Sequence, residues 1–301
     1  MKLDFDIGDV TVTEFGVGRD DGDERTFHLM TVDSDVQCAL REMAIATSEA
    51  MRNLTDAPSQ YEPSEKHAGV EYLHLPLNHN LAVSLHQLHV AANLPVDASA
   101  LADPATVFCY FARMTDGKGR RLTALRRATQ FKGVLKSRLI RLVTDALKLV
   151  EDKVFKLDID FDLLVDAKAI HILRPSGFEF IGMLQDAVLA AVPQNIAAIQ
   201  KDLRFVDFAS IREYASKHPR AARYLASIRS QKETKDTNKS LLKSLCKSTS
   251  VEVVESNGMV TVQLGHEMGF LEVLDRRRYE LELVKGSPEQ FKAASREKIN
   301  G

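Results

Sequence analysis

TVFCYFARMTDGKGRRLTALRRAT, residues 106–129, decides the fold class. Its first half is rich in Val, Phe and Tyr, which suit a pleated, half-buried strand. Asp116-Gly117 then marks a tight turn, and residues 120–129 return beside the first run. Short apolar runs continue at 139–143, 146–150, 154–157, 161–165 and 169–173, separated by Thr144-Asp145, Glu151-Asp152 and Asp166-Ala167. That spacing predicts an antiparallel β-meander.

Toward the N-terminus, residues 10–18 and 26–32 read as a hairpin whose long, solvated loop is the Gly/Asp-rich stretch 16–24. Apolar positions at helical spacing (Val36, Leu40, Met43, Ala44, Ala50) predict a helix over 36–51, with Asp33 or Ser34 able to cap it. Residues 55–66, with Pro58 and Pro63, read as a mobile loop, and 81–92 as a helix. Beyond Pro175 the period changes. Residues 178–200 predict a helical stretch with Pro193 as a kink or break, followed by helices at 208–217, 220–230 and 238–247. A hairpin turns at Asn257-Gly258; a helix at 266–275, a strand at 279–284 and a terminal helix from Pro288 complete the chain. The fold class is α+β: antiparallel meander and hairpins with packed helices, in one or two lobes. A boundary near residue 105 or 135 suits this order.

The 301 residues carry a net charge of −2, and 45% are hydrophobic, enough for a sizeable core. No run nears the roughly 20 apolar residues of a membrane span. The start, MKLDFDIGDV, is too acidic and polar for a signal peptide. Cys38, Cys109 and Cys246 are far apart, which suits neither a disulfide framework nor a CxxC metal site and predicts a reducing cytoplasm.

The small net charge hides strong polarisation. Residues 1–112 hold six basic and eighteen acidic residues, a net −12. Residues 113–141 hold ten Lys or Arg (Arg113, Lys118, Arg120, Arg121, Arg126, Arg127, Lys132, Lys136, Arg138, Arg141) against Asp116, a net +9. Residues 217–248 hold nine against Glu233 and Asp236, a further +7. Such patches suit a polyanion. On a strand, Arg120 and Arg126 share one face, and Arg121 and Arg127 the other. Basic edge strands also deter aggregation, the plainer reading. In the second patch Lys239, Lys243 and Lys247 recur every fourth residue, forming one helix stripe. Leu241, Leu242 and Leu245 would be buried opposite them. Arg220 and Arg223 sit three apart on the preceding helix, and interleaved Ser and Thr can touch phosphate. An ordinary solvated face is the alternative. Aromatics are sparse near both patches and Trp is absent, so duplex contact through the backbone is favoured over base stacking.

Other constellations carry less. Asp158, Asp160 and Asp162 alternate with apolar residues and, on a strand, would share one face. They could hold a divalent cation for phosphodiester cleavage with Lys156 and Asp166 nearby, or form a solvated strand face. His86 and His89 have a zinc-compatible spacing without the H-E-x-x-H pattern. Gly16-Val17-Gly18 and Gly117-Lys118-Gly119 match no nucleotide loop. No catalytic residue, metal site or cofactor is assigned.

The stretch VFKLDIDFDLLVDAKAIHILRPSGFEFIGML and the later FLEVLDRRRYELELVKGSPEQFKAASREKI resemble the Kiwa anti-phage defence protein KwaB-like family over roughly 105–300. The shared features are Phe161-Asp162 followed by Leu-Leu-Val, a short turn, a strand ending near Pro175, Phe178-Glu179 opening a helix, and a C-terminal apolar helix leading to an Arg/Tyr segment. The division becomes an acidic α/β segment at 1–105 and a KwaB-like α+β domain at 106–301. The resemblance implies a cytoplasmic, DNA-binding defence protein. It would self-associate and work with a small membrane-protein partner that could recruit it to the inner membrane. The resulting expectation is a non-catalytic subunit gripping duplex DNA. A metal-dependent nuclease and a self-associating scaffold are the rivals.

Overall fold

In the computed structural model the described residues are 3–22, 24–54, 59–67, 71–97, 106–128, 140–143, 146–149 and 156–293, with 140–143 and 146–149 described by backbone alone. The chain forms two compact units: Met1–Tyr61 with Ala68–Met183, and Glu62–His67 with Leu184–Gly301.

The first unit contains β1 (Val10–Asp20), β2 (Arg25–Met30), α1 (Ser34–Arg52), β3 (Ser59–Gln60), β4 (Leu73–Pro76), α2 (Val83–Val90), β5 (Val107–Asp116), β6 (Arg121–Arg127), β7 (Ile140–Val143), β8 (Ala146–Leu149), β9 (Leu163–Val165), β10 (Ala169–Ile172) and α3 (Pro175–Ile181). Among the described residues, eight strands form one sheet in the order β2-β1-β5-β6-β9-β10-β4-β3. Its pairings are antiparallel except β3 with β4. Strand β1 pairs with β5, so residues before and after position 105 share one sheet. Strands β7 and β8 pair antiparallel as a separate two-stranded sheet, with Arg141 opposite Lys148.

Alternation sets the two faces of the sheet. Tyr110, Ala112, Met114, Leu122 and Ala124 share a core with Leu40, Met43, Ala44 and Met51 of α1. Thr123, of opposite parity, takes a hydrogen bond partner from α2, at His89 Nδ1 (3.0 Å). Both faces are therefore covered, which explains why β5 is buried along nearly its whole length. Helix α1 is capped as expected: Val36 N–H donates to Asp33 Oδ1 at 2.9 Å.

The expected long loop over 16–24 is not formed, because β1 runs to Asp20. Gly16 and Gly18 serve close strand approach instead. A Cβ at Gly16 would lie 2.2 Å from Phe111 Cζ, and one at Gly18 2.6 Å from Cys109 Sγ. The strand expected over 154–157 is absent where it is described: residues 156–157 are irregular, and 154–155 lie outside the described residues.

The second unit contains α4 (Gln185–Ala190), α5 (Val192–Asp202), β11 (Val206–Asp207), α6 (Ala209–Ala215), α7 (Pro219–Arg229), α8 (Lys239–Ser248), β12 (Val253–Ser256), β13 (Met259–Val262), α9 (Glu267–Leu274), β14 (Arg278–Val284) and β15 (Ser287–Lys292). Its core joins Val192, Ile196 and Ile199 of α5 to Leu225 and Ile228 of α7, Leu242 and Cys246 of α8, and Phe270 and Leu271 of α9. The helical stretch expected over 178–200 is divided among three helices, and of the two outcomes expected at Pro193 the break is found: α4 ends at Ala190 and Pro193 lies in the first turn of α5. Proline suits a first turn, where its missing N–H costs nothing.

Asn257 (φ 51°) and Gly258 (φ 77°) make the left-handed two-residue turn joining β12 to β13. The terminal helix expected from Pro288 is a strand over 288–292, and residues 294–301 lie outside the described residues. Gly286 (φ 81°) supports the turn, and β15 folds back on β14 with Phe291 opposite Tyr279, their rings stacked at 5.8 Å. Cross-strand aromatic pairing outweighs the local helical reading. Among the described residues no helix is long and apolar enough to cross a membrane.

Candidate nucleic-acid interface

The first basic patch is centred on β5 and β6. Strand β6 lies between β5 and β9, so its arginines do not protect a sheet edge. Most of their charge meets internal partners. Arg113, 3% exposed, grips Glu14 Oε2 through Nη2 (2.7 Å) and donates to Ala91 O (2.9 Å). Arg121 donates to His89 O and Ala91 O, both at 2.8 Å. Two guanidinium groups thus satisfy carbonyls at the C-terminal end of α2, where a cation is favoured. Burial, then the nearby Arg113 charge, lowers the pKa of Arg121.

Arg120 holds Asp116 (Nη2 to Oδ2, 2.7 Å) and Asp4 (3.2 Å). The other oxygen of Asp116 accepts from the Lys118 and Arg120 amides and so shapes the β5–β6 turn. Burial raises the Asp116 pKa, but Arg120 and those amides more than offset it, and the net shift is downward.

Arg126 organises the three aspartates read from the sequence. They do not lie on a strand; residues 156–162 are irregular. Their carboxylates converge on Arg126: Asp158 Oδ2 at 3.2 Å, Asp160 Oδ1 at 3.2 Å and Asp162 Oδ1 at 2.8 Å. Arg174 closes the cluster through Asp160 Oδ2 at 2.6 Å. The Tyr110 hydroxyl donates to Asp158 at 3.0 Å, and the Arg127 amide to Asp162 Oδ2 at 2.8 Å. Asp160 and Asp162 are buried. The row is therefore not a solvated strand face. Two guanidinium groups stand where a nuclease would need a divalent cation, and among the described residues no His, Cys, Asp or Glu group is arranged to hold a metal ion. Burial raises the Asp162 pKa, opposed by the Arg127 amide and the two arginines.

Two basic residues of this patch, Lys118 and Arg127, face solvent. Lys118 is exposed in the turn, with no ion pair among the described residues. Arg127 is exposed and lies 3.9 Å over the Phe180 ring, which leaves its charge available. Arg141 holds a register position on β7. Lys132, Lys136 and Arg138 lie outside the described residues.

The second patch is more open. Arg220 and Arg223 are exposed on α7. Asn238 caps α8 by accepting from the Ser240 and Leu241 amides at 2.8 and 3.2 Å. Leu242 and Cys246 anchor the buried face of α8. Leu241 and Leu245, expected inside, are exposed at 58% and 37%. Lys247 is exposed and, like Arg220, has no ion pair among the described residues. Lys239 and Lys243 share one partner, Glu255 on β12, at 2.6 and 2.5 Å. Beside them a cleft of about 670 Å³ is lined by Lys243, Ser244, Lys247, Ser250, Glu252 and Gln263, among others.

Sequence reasoning missed Glu255, because nothing in its own surroundings says that β12 runs beside α8. It also missed a buried relay in the first unit. There the Tyr72 hydroxyl meets His171 Nδ1, and His171 Nε2 meets Asp166 Oδ2 at 2.9 Å. Burial, then the Asp166 charge, pushes Tyr72 up to about 12. Of the zinc-spaced pair, His89 is buried against Thr123, and burial, then Arg121, lowers it to about 4.

A family model described as Kiwa protein KwaB-like matches residues 107–283. No curated protein and no solved structure matches the chain.

Proposed function

The chain belongs to the Kiwa protein KwaB-like family, and on that premise we propose that it grips duplex DNA by its phosphates, without strong sequence preference and without catalysis of its own. Membership places it in a multi-component anti-phage defence system. The observation that carries the reading is the contrast between the two basic patches. Arg113, Arg120, Arg121 and Arg126 are committed to carboxylates and carbonyls, so their charge serves the fold. On α8, by contrast, Lys247 is exposed and Lys239 and Lys243 are half-exposed with one shared carboxylate, Glu255, between them, while Arg220 and Arg223 are exposed on α7. Eight residues of helix rise about 12 Å. That length runs past several phosphates of one duplex strand, which carries one charge per about 3.4 Å of helix axis.

In this reading α8 is the main phosphate-binding element, with Lys118, Arg127 and Arg141 as contributors from the first unit. Lys132, Lys136 and Arg138 remain candidates by sequence alone. Self-association and a small membrane partner complete the reading, on the strength of the sequence resemblance. Bound to invading DNA, the protein would obstruct replication or transcription sterically.

The nuclease alternative is weakened by Arg126 and Arg174 lying among Asp158, Asp160 and Asp162. The test is a binding titration with a labelled random-sequence duplex, comparing the protein with a Lys239→Ala, Lys243→Ala, Lys247→Ala variant. A loss of on the order of a hundredfold in affinity at low salt is expected if phosphate charge dominates. Unchanged binding by the folded variant would remove α8 from the interface. Plasmid cleavage dependent on Mg²⁺ or Mn²⁺ would favour the nuclease.

A further inference from the structure

Glu255 sits on β12 with one carboxylate oxygen on each of two lysines: Oε1 is 2.6 Å from Lys239 Nζ and Oε2 is 2.5 Å from Lys243 Nζ. The two ammonium groups come from successive turns of α8 and would repel one another without an anion between them. Lys239 Nζ is steadied further by donating to Gly258 O at 3.2 Å, at the turn that follows β12. Two lysines are thereby held around a single oxyanion with two oxygens available. A phosphodiester presents the same chemistry, two anionic oxygens on one centre. Lys243 also lines a cleft that continues past Ser244, Lys247 and Ser250, where a backbone could run on.

We propose that Lys239 and Lys243 form a preorganised seat for one backbone phosphate, and that Glu255 occupies this seat in the unbound protein as an internal competitor. The inference rests on the reading of α8 as a DNA-binding element and adds the device that restrains it. Hydrogen bonds from the two lysines, Lys239 first, hold the Glu255 pKa down to about 2, so the carboxylate is charged throughout the physiological range. The bridge is solvent-accessible, and exposed ion pairs hold weakly. A duplex, with its dense row of phosphates, can displace Glu255; a single free anion of low charge competes poorly. Glu255 therefore raises the threshold for binding and favours polyanions over isolated phosphates.

The experiment compares the full-length protein with Glu255→Gln and Glu252→Gln, titrated with a random-sequence duplex at several salt concentrations. Glu252 lines the same cleft and its removal changes net charge equally, but no lysine is paired with it among the described residues. Thermal unfolding of each variant is recorded alongside. Glu255→Gln is expected to bind roughly fivefold more tightly, the worth of two exposed pairs. Its salt dependence should steepen by up to about one phosphate contact, near 0.9 in logarithmic slope. Glu252→Gln should shift affinity less and leave the slope close to that of the parent. If Glu255→Gln binds no better than Glu252→Gln, or binds more weakly, the competitor role is wrong although DNA binding stands. If neither the parent nor Glu255→Gln binds DNA, the reading of α8 itself fails, and the seat with it.

Discussion

Arg126 Nη1 lies 2.8 Å from Asp162 Oδ1, and this pair joins β6 to the segment that leads into β9. Asp162 is a structural hub. Its amide donates to Leu125 O, its carbonyl accepts from the Leu173 and Arg174 amides, and its second carboxylate oxygen accepts from Arg127 N. Arg126→Ala would leave buried carboxylates facing one another without their main counter-charge. A stability loss on the order of 3 kcal/mol is expected, measured by urea unfolding. A loss below about 0.5 kcal/mol would put the residue in the ordinary surface class. Arg126→Glu should fail to fold, and so cannot report on DNA binding.

Asp166 predicts an acid-sensitive first unit. Burial pushes its pKa up, but the His171 ring and the amides of Asp4, Lys168 and Ala169 outweigh that, and its value falls well below the usual carboxylate range. A depressed folded-state pKa contributes stability above the unfolded-state value, about 3.9 for Asp, and loses it as pH falls further. The parent protein should therefore lose thermal stability as pH drops below about 4. Asp166→Asn should start less stable at neutral pH and lose less over the same range. Parallel pH profiles for the two proteins would contradict the assignment.

Gly16 tests the register of β1. An added Cβ would lie 2.2 Å from Phe111 Cζ and 2.6 Å from His28 O, and the second contact is with backbone that cannot swing aside. Gly16→Ala should cost about 1–3 kcal/mol by overpacking. Gly22→Ala serves as a contrast, since nothing lies within 4 Å of its would-be Cβ, although φ is +92°. A Gly16→Ala protein as stable as the parent would mean that β1 and β5 are not packed in this register.

The regular elements were legible where local chemistry decided them. Asn257-Gly258 announced its hairpin, Asp33 its helix cap, and the Lys239, Lys243, Lys247 spacing its stripe. The α+β class followed from the meander and the helices after Pro175. What the sequence hid depends on partners far along the chain. Gly16 and Gly18 resemble loop residues until Phe111 and Cys109 press against them. Residues after Pro288 resemble a helix until Phe291 meets Tyr279. The charge count of residues 113–141 marked a basic patch, but not that Glu14, Asp116 and Asp162 neutralise much of it. Those acids lie both outside and inside the patch, and only the sheet order brings them together.

The most direct test of the central claim is the salt dependence of duplex binding by the parent protein and by the Lys239→Ala, Lys243→Ala, Lys247→Ala variant. Phosphate contacts release condensed counterions, so the logarithm of the binding constant should fall linearly with the logarithm of salt, by about 0.9 per contact. Roughly five contacts give a slope near −4.5, and the variant should be flatter by about two to three contacts' worth. Affinity should vary little between unrelated duplexes of equal length. A shallow slope that the lysine changes leave unaltered, with strong preference for one sequence, would contradict phosphate gripping by α8 and point to base readout elsewhere.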